Sequence, residues 1–211
     1  QVNLRLMDEN ISLEHEHRDD TGSKLGMWIF IFTELLLFGG LFLVYAVLRA
    51  KYFVDFHIAA HQLNVFIGAI NTIILLISSM TIAMSITAIQ KNHKQFALIL
   101  LSITFFLAFV FLVNKYFEWG LKIHHHLYPG SDLVLTLTHG EILFFGLYFF
   151  MTGLHALHII VGMSLIGYVI VQVKNSKIKS DNFQILENAG LYWHLVDLIW
   201  IFLFPLLYLI T

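Results

Sequence analysis

A chain of 211 residues that is 58% hydrophobic and only 12% charged, with a mean hydropathy of +0.78, excludes an ordinary soluble domain and points to an integral membrane protein. Its net charge of −2 gives no basis for binding nucleic acid. The absence of cysteine excludes disulfides, thiolate metal sites and iron–sulfur clusters within the chain.

Residues 1–25 are polar and of mixed charge, include His15 and His17, and lack the apolar core of a secretory signal, so they read as a solvated extension. Five apolar stretches follow, near 26–48, 63–90, 96–120, 140–173 and 189–210, each long enough for the roughly 20 residues that a bilayer requires. Lipid offers the backbone no hydrogen-bond partner, so each stretch must be a helix. The expected fold is therefore all-α: a polar tail over 1–25, then one domain of five transmembrane helices over 26–211. The connections at 49–62, 91–95, 121–139 and 174–188 are not linker-like in composition, and no internal repeat is visible.

Lysine and arginine set the orientation. Arg5, Arg18, Lys24, Lys91, Lys94, Lys174, Lys177 and Lys179 fall on one side, against Arg49, Lys51, Lys115 and Lys122 on the other. This bias predicts the N-terminus inside and the C-terminus outside, with Trp28 and Trp119 at opposite interfaces.

Ionisable groups at membrane depth are costly and normally face protein. Glu34 lies roughly 12 Å into the first span from its inner end, at 1.5 Å per residue. His155 and His158 share one face of the fourth span, and His194 and Asp197 share one face of the fifth, because residues three apart on a helix are neighbours. Glu187 precedes His194 by two turns. The depths of Glu34, His158, His194 and Asp197 overlap, which permits a buried polar cluster. Two readings of that cluster stay open. One is a proton-conducting or ligand-binding group; the other is a hydrogen-bonded clamp between helices. A metal or haem held by His155, His158 and His194 is a third, sharper possibility.

Elsewhere, Glu118 beside Trp119 and Lys122 reads as an interfacial ion pair. His124, His125 and His126, ahead of Pro129-Gly130, read as a solvated turn, with metal ligation as the alternative. His139 and Glu141 open the fourth span, where an acidic group suits the helix dipole. In the second span, Asn71-Thr72 and Ser78-Ser79 are suited to hydrogen bonding across helices, and Gly26, Gly39, Gly40, Gly153, Gly162 and Gly190 to close helix approach.

Several of these segments resemble one family. Glu187 followed by Tyr192-Trp193-His194-Leu195-Val196-Asp197 and Trp200 is similar to the last helix of subunit III of the haem–copper oxidases, the cytochrome c oxidase subunit III family. Thr152-Gly153-Leu154-His155-Ala156-Leu157-His158 resembles its paired-histidine helix, and Asn71-Thr72 before Ser78-Ser79 its second motif. Glu34 matches its membrane-buried glutamate, and Tyr116 with Glu118 its Tyr-x-Glu element. The resemblance covers about residues 22–211 and is to the short, five-helix bacterial type, without the two further N-terminal helices that form one side of a lipid-holding cleft in the long form.

The resemblance implies a non-catalytic subunit of a proton-translocating oxidase that reduces oxygen to water, located in the bacterial cytoplasmic membrane. Such a chain has no active site and holds no haem or copper; those belong to the catalytic partners. It contacts subunit I chiefly, and subunit II, binds phospholipid, stabilises the catalytic subunit and supports proton uptake; the resemblance leaves room for a larger respiratory supercomplex. Glu34, His155, His158, Glu187, His194 and Asp197 are then the structural or proton-related cluster. Asn71, Tyr116, Glu118, Trp193 and Trp200 are candidates for lipid or subunit contact. Subunit III of a quinol oxidase, or of a nitric oxide reductase-associated relative, is the alternative, and a haem-binding membrane redox protein the distant one.

Overall fold

The structure, a computed structural model, describes residues 2–124, 126–128, 130–131 and 136–209, and within these ranges the side chains from Gly22 onward. Among the described residues the chain is helical throughout, apart from one isolated bridge between Lys179 and Asn182. The helices are α1 (Val2–Lys51), α2 (Phe53–Ala60), α3 (Val65–Gln90), α4 (Lys94–His124), α5 (His139–Lys174) and α6 (Gln184–Phe204), the last running into a π-helical turn at Pro205–Leu209. Five segments are long and apolar enough to cross a membrane: Gly22–Lys51, Val65–Gln90, Lys94–His124, His139–Lys174 and Gln184–Leu209. The five expected spans are thus present, most of them extended by a turn or so where the helix continues into polar sequence.

Two compact units divide the chain, Gln1–Leu37 and Phe38–Thr211. The first is the leading part of α1. It holds Glu34, partly buried, and Thr33, whose hydroxyl donates to the Phe30 carbonyl at 2.7 Å. In the second unit α3, α4, α5 and α6 pack as a closed ring, each against its two neighbours. Packing is made close by Gly162 of α5, where a Cβ would come within 2.8 Å of the Trp193 ring on α6.

Local sequence fixes the helix ends. Asn64 caps α3, its side chain accepting from the Phe66 and Ile67 N–H groups at 3.0 and 3.3 Å. Thr138 and Glu141 form a capping box at the start of α5, so the acidic group expected to suit the dipole also satisfies the cap. Asn92, His126 and Ser176 adopt positive φ of 60°, 55° and 58° just past the ends of α3, α4 and α5. At each, backbone N–H groups fold back onto the last helical carbonyls, as in His93 N to Ala88 O at 2.8 Å and Lys177 N to Gln172 O at 3.0 Å. His126 therefore serves a turn, as expected; His125 lies outside the described residues. The Lys94 ammonium adds a bond to the Lys174 carbonyl at 2.8 Å and another to Ser176 Oγ at 2.7 Å.

Helix α2 interrupts what the sequence presented as a plain connection. Its apolar positions Phe56, Ala59 and Ala60 recur at helical spacing and are buried, with Phe56 edge-on to Phe144 of α5 and to Tyr45 of α1. Helix α2 thus marks one end of the bundle, the α2 end.

Candidate functional site

The inward faces of α3 to α6 carry a ladder of polar side chains. At the α2 end, Lys115 and Glu118 of α4 are 2% and 3% exposed and form an ion pair of 2.9 Å. The second carboxylate oxygen of Glu118 accepts the hydroxyls of Tyr148 from α5 at 2.8 Å and Tyr208 at 2.5 Å. Lys115 donates to Tyr208 at 2.7 Å, and its ammonium lies 4.9 Å from the centre of the Trp200 ring. Proline 205 has no N–H to give the α6 ladder, and the chain relaxes there into the π-helical turn that carries Tyr208 into this network.

The interfacial reading of Glu118 is therefore corrected. Side chains at i and i+3 share a face, and on α4 the face holding Lys115 and Glu118 is turned into the bundle. Breaking such a buried pair by removing one partner costs about 3–5 kcal/mol, because the other charge stays desolvated.

One level down, Asn114 of α4 donates to Asn71 of α3 at 2.9 Å, and Trp200 Nε1 of α6 donates to Thr72 at 3.0 Å. His155 of α5 is fully buried, stacked on Trp200 with ring centres 5.2 Å apart and edge-on to Phe111 at 5.6 Å. Neither of its nitrogens has a hydrogen-bond partner among the described residues. It acts as a core aromatic.

The next level joins α3 to α6. Trp193 Nε1 donates to Ser78 at 3.0 Å, and His194 Nδ1 lies 2.6 Å from Ser79 Oγ. Asp197, 3% exposed, has neither carboxylate oxygen in a hydrogen bond of normal geometry among the described residues, although Ser79 lies beside it. Imidazole, hydroxyl and carboxylate thus stand in a row. When the imidazole donates to Ser79, the serine proton is free for Asp197; when Ser79 donates to the imidazole, it is not. The expected cross-helix bonding of Asn71, Thr72, Ser78 and Ser79 is present in full.

His158 lies one turn from His155 but in different surroundings: its Nδ1 is 2.7 Å from the Leu154 carbonyl, its own carbonyl accepts from Tyr192 at 3.1 Å, and its ring meets Phe38 edge-on. Glu187 is partly buried in the first turn of α6. Glu34 belongs to the other compact unit. No three His, Asp or Glu side chains among the described residues converge as a metal centre requires. Asn71, Glu118, Trp193 and Trp200, expected at lipid or a neighbouring subunit, are buried inside the chain, whereas Tyr116 is 74% exposed.

Sequence reasoning missed Lys115, Tyr148 and Tyr208. The three-residue spacing of Lys115 and Glu118 was the available signal; the two tyrosines gave none apart from their amphipathic character.

Residues 5–211 match the family model for cytochrome c oxidase subunit III. A cytochrome c oxidase subunit 3 of Thermostichus vulcanus is 32% identical, over 95% of this chain and 94% of its own. A probable quinol oxidase subunit 3 of Staphylococcus saprophyticus is 30% identical, over 96% of each chain. A heme-copper oxidase subunit I+III of Aeropyrum pernix is 33% identical over 89% of this chain, which spans 22% of that longer protein.

Proposed function

Because this chain belongs to the cytochrome c oxidase subunit III family and is a membrane subunit of a respiratory haem–copper oxidase, we infer that it is the non-catalytic scaffold of that complex. It holds the catalytic subunit in place, binds phospholipid and supports proton uptake while its partners reduce oxygen to water. It has no active site of its own; haem and copper reside in the partner subunits. The match across residues 5–211 carries this reading.

Subunit I is the main partner, which the fusion of subunits I and III in the Aeropyrum pernix protein supports. Subunit II and membrane lipids complete the contacts. With Lys115 inside the bundle, the remaining charge bias is eight Lys and Arg against three, which favours the N-terminus inside and the α2 end outside; the relatives from Thermostichus vulcanus and Staphylococcus saprophyticus support placement in a bacterial cytoplasmic membrane. On this orientation Ser79, His194 and Asp197 lie near mid-depth with α6 entering from the inside, where they can hold charge and pass protons toward the catalytic subunit. Both cytochrome c and quinol oxidase subunits are among the relatives, as expected if the electron-donor site is carried by other chains.

Native purification with identification of the partner chains tests the reading. Co-isolation with a haem–copper subunit is expected, and a haem absorption band retained by the separated chain would overturn it.

A further inference from the structure

Helix α2 lies outside the spans, and its buried face leaves His57 and His61 exposed on the opposite side. They stand one turn apart, the His61 N–H bonded to the His57 carbonyl at 3.2 Å. Their Nε2 atoms are 3.3 Å apart, with ring centres separated by 4.6 Å and ring planes at 88°. Exposed imidazoles gain little from a long nitrogen–nitrogen hydrogen bond when water competes for both. The same spacing has another meaning. Two nitrogens bound tetrahedrally to one ion at about 2.0–2.1 Å are separated by about 3.3 Å.

His57 is also held in place. The His57 ring stacks on Phe53 with an interplanar angle of 14°, and the Arg49 guanidinium covers that phenylalanine at 5.8 Å. Phe56, Ala59 and Ala60 lock the opposite side of the helix. Of the ordering that a bound ion would demand, the part belonging to His57 is thus made beforehand.

We propose that His57 and His61 form a two-imidazole site for a divalent first-row transition cation, with water completing the coordination. Imidazole donors favour copper, nickel and zinc over magnesium and calcium. Asp55 does not contribute: it packs against Gly140 at the start of α5, where a Cβ would lie 2.3 Å from its carboxylate. With two protein ligands and Arg49 and Lys51 close in sequence, the site exchanges its ion with the medium.

Zinc is the probe, measured by equilibrium dialysis against the intact oxidase complex in detergent. The wild-type complex is expected to bind one equivalent more than the His57→Gln/His61→Gln double variant. Each single variant should weaken that equivalent at least as much as the roughly 10–100-fold typical of losing an outer partner of a metal ligand, since one imidazole does not chelate. His126→Gln should leave it unchanged. Equal binding by wild type and double variant, or single variants that each keep the site, would overturn the proposal. A second measurement needs no variant: zinc should protect His57 and His61, but not His126, from acylation by diethyl pyrocarbonate, as read by mass spectrometry. Identical modification with and without zinc would sink the site.

Discussion

At the α2 end of the bundle Lys115 and Glu118 are buried with their charges paired and two tyrosine hydroxyls filling the remaining carboxylate oxygen. Farther along the same ring of helices, Asp197 is buried as deeply, yet neither of its oxygens makes a hydrogen bond of normal geometry among the described residues, and its neighbour Ser79 is engaged with His194. Both levels lie inside the same ring of apolar helices, the first joining α4, α5 and the π-helical turn and the second joining α3 and α6, so the medium does not explain the difference. A closed network of opposite charges holds helices together and has no reason to change state. A row of imidazole, hydroxyl and carboxylate with a place left for a proton has two arrangements of similar composition. On the function proposed above, the Lys115 level is the clamp between helices and the proton-related role falls to the Asp197 level.

Glu118→Gln should break this comparison most severely. The amide turns one carboxylate oxygen into a donor that faces either the Lys115 ammonium or two tyrosine hydroxyls, and it strands the lysine charge. A loss of about 3–5 kcal/mol is expected, read as a lowered Tm of the complex and poor recovery of this chain with its partners. Adding Lys115→Met should restore much of the loss, because the stranded charge goes with it; no restoration would mean that Glu118 acts otherwise than as a partner of Lys115. Gly162→Ala comes next. Its Cβ would meet the Trp193 ring at 2.8 Å and push α5 from α6, at a cost of about 1–3 kcal/mol in the same thermal assay. His194→Ala removes a single bond to Ser79 from a partly buried ring, about 0.5–1.5 kcal/mol. It should shorten the period of sustained turnover while leaving the initial rate of oxygen reduction intact.

The five spans were legible because lipid leaves the backbone no choice but helix, and composition alone then marks them. The partners of Asn71, Thr72, Ser78 and Ser79 were legible in kind, since a hydroxyl or amide at that depth must find a neighbour, and Trp200, Asn114, Trp193 and His194 provide it. The Lys115 network was not. Helix α4 is apolar around most of its circumference, so its sequence does not say which face turns inward, and Lys115 passed for an interfacial charge. Tyr208 reaches the network through a π-helical turn that Pro205 permits but does not announce. Helix α2 was overlooked for its brevity, although the spacing of Phe56, Ala59 and Ala60 contained the signal.

Asp197→Asn should have the smallest effect on stability and decides most about function. An amide of the same shape replaces a carboxylate that no hydrogen bond of normal geometry supports among the described residues, so no charged partner is stranded, and the desolvation of a charge is avoided. The change in stability is expected to stay within about 0.5 kcal/mol, as for substitutions that break no named interaction. Glu118→Gln, chemically the same exchange, costs several times more, because there the carboxylate has a lysine to balance. If Asp197 is an end of a proton path, the complex should keep its Tm and its initial oxygen reduction but lose activity sooner under continuous turnover, and Asp197→Glu should recover part of that endurance. A fall in Tm comparable to that of Glu118→Gln, with turnover endurance unchanged, would instead make Asp197 a second clamp and erase the distinction between the two levels.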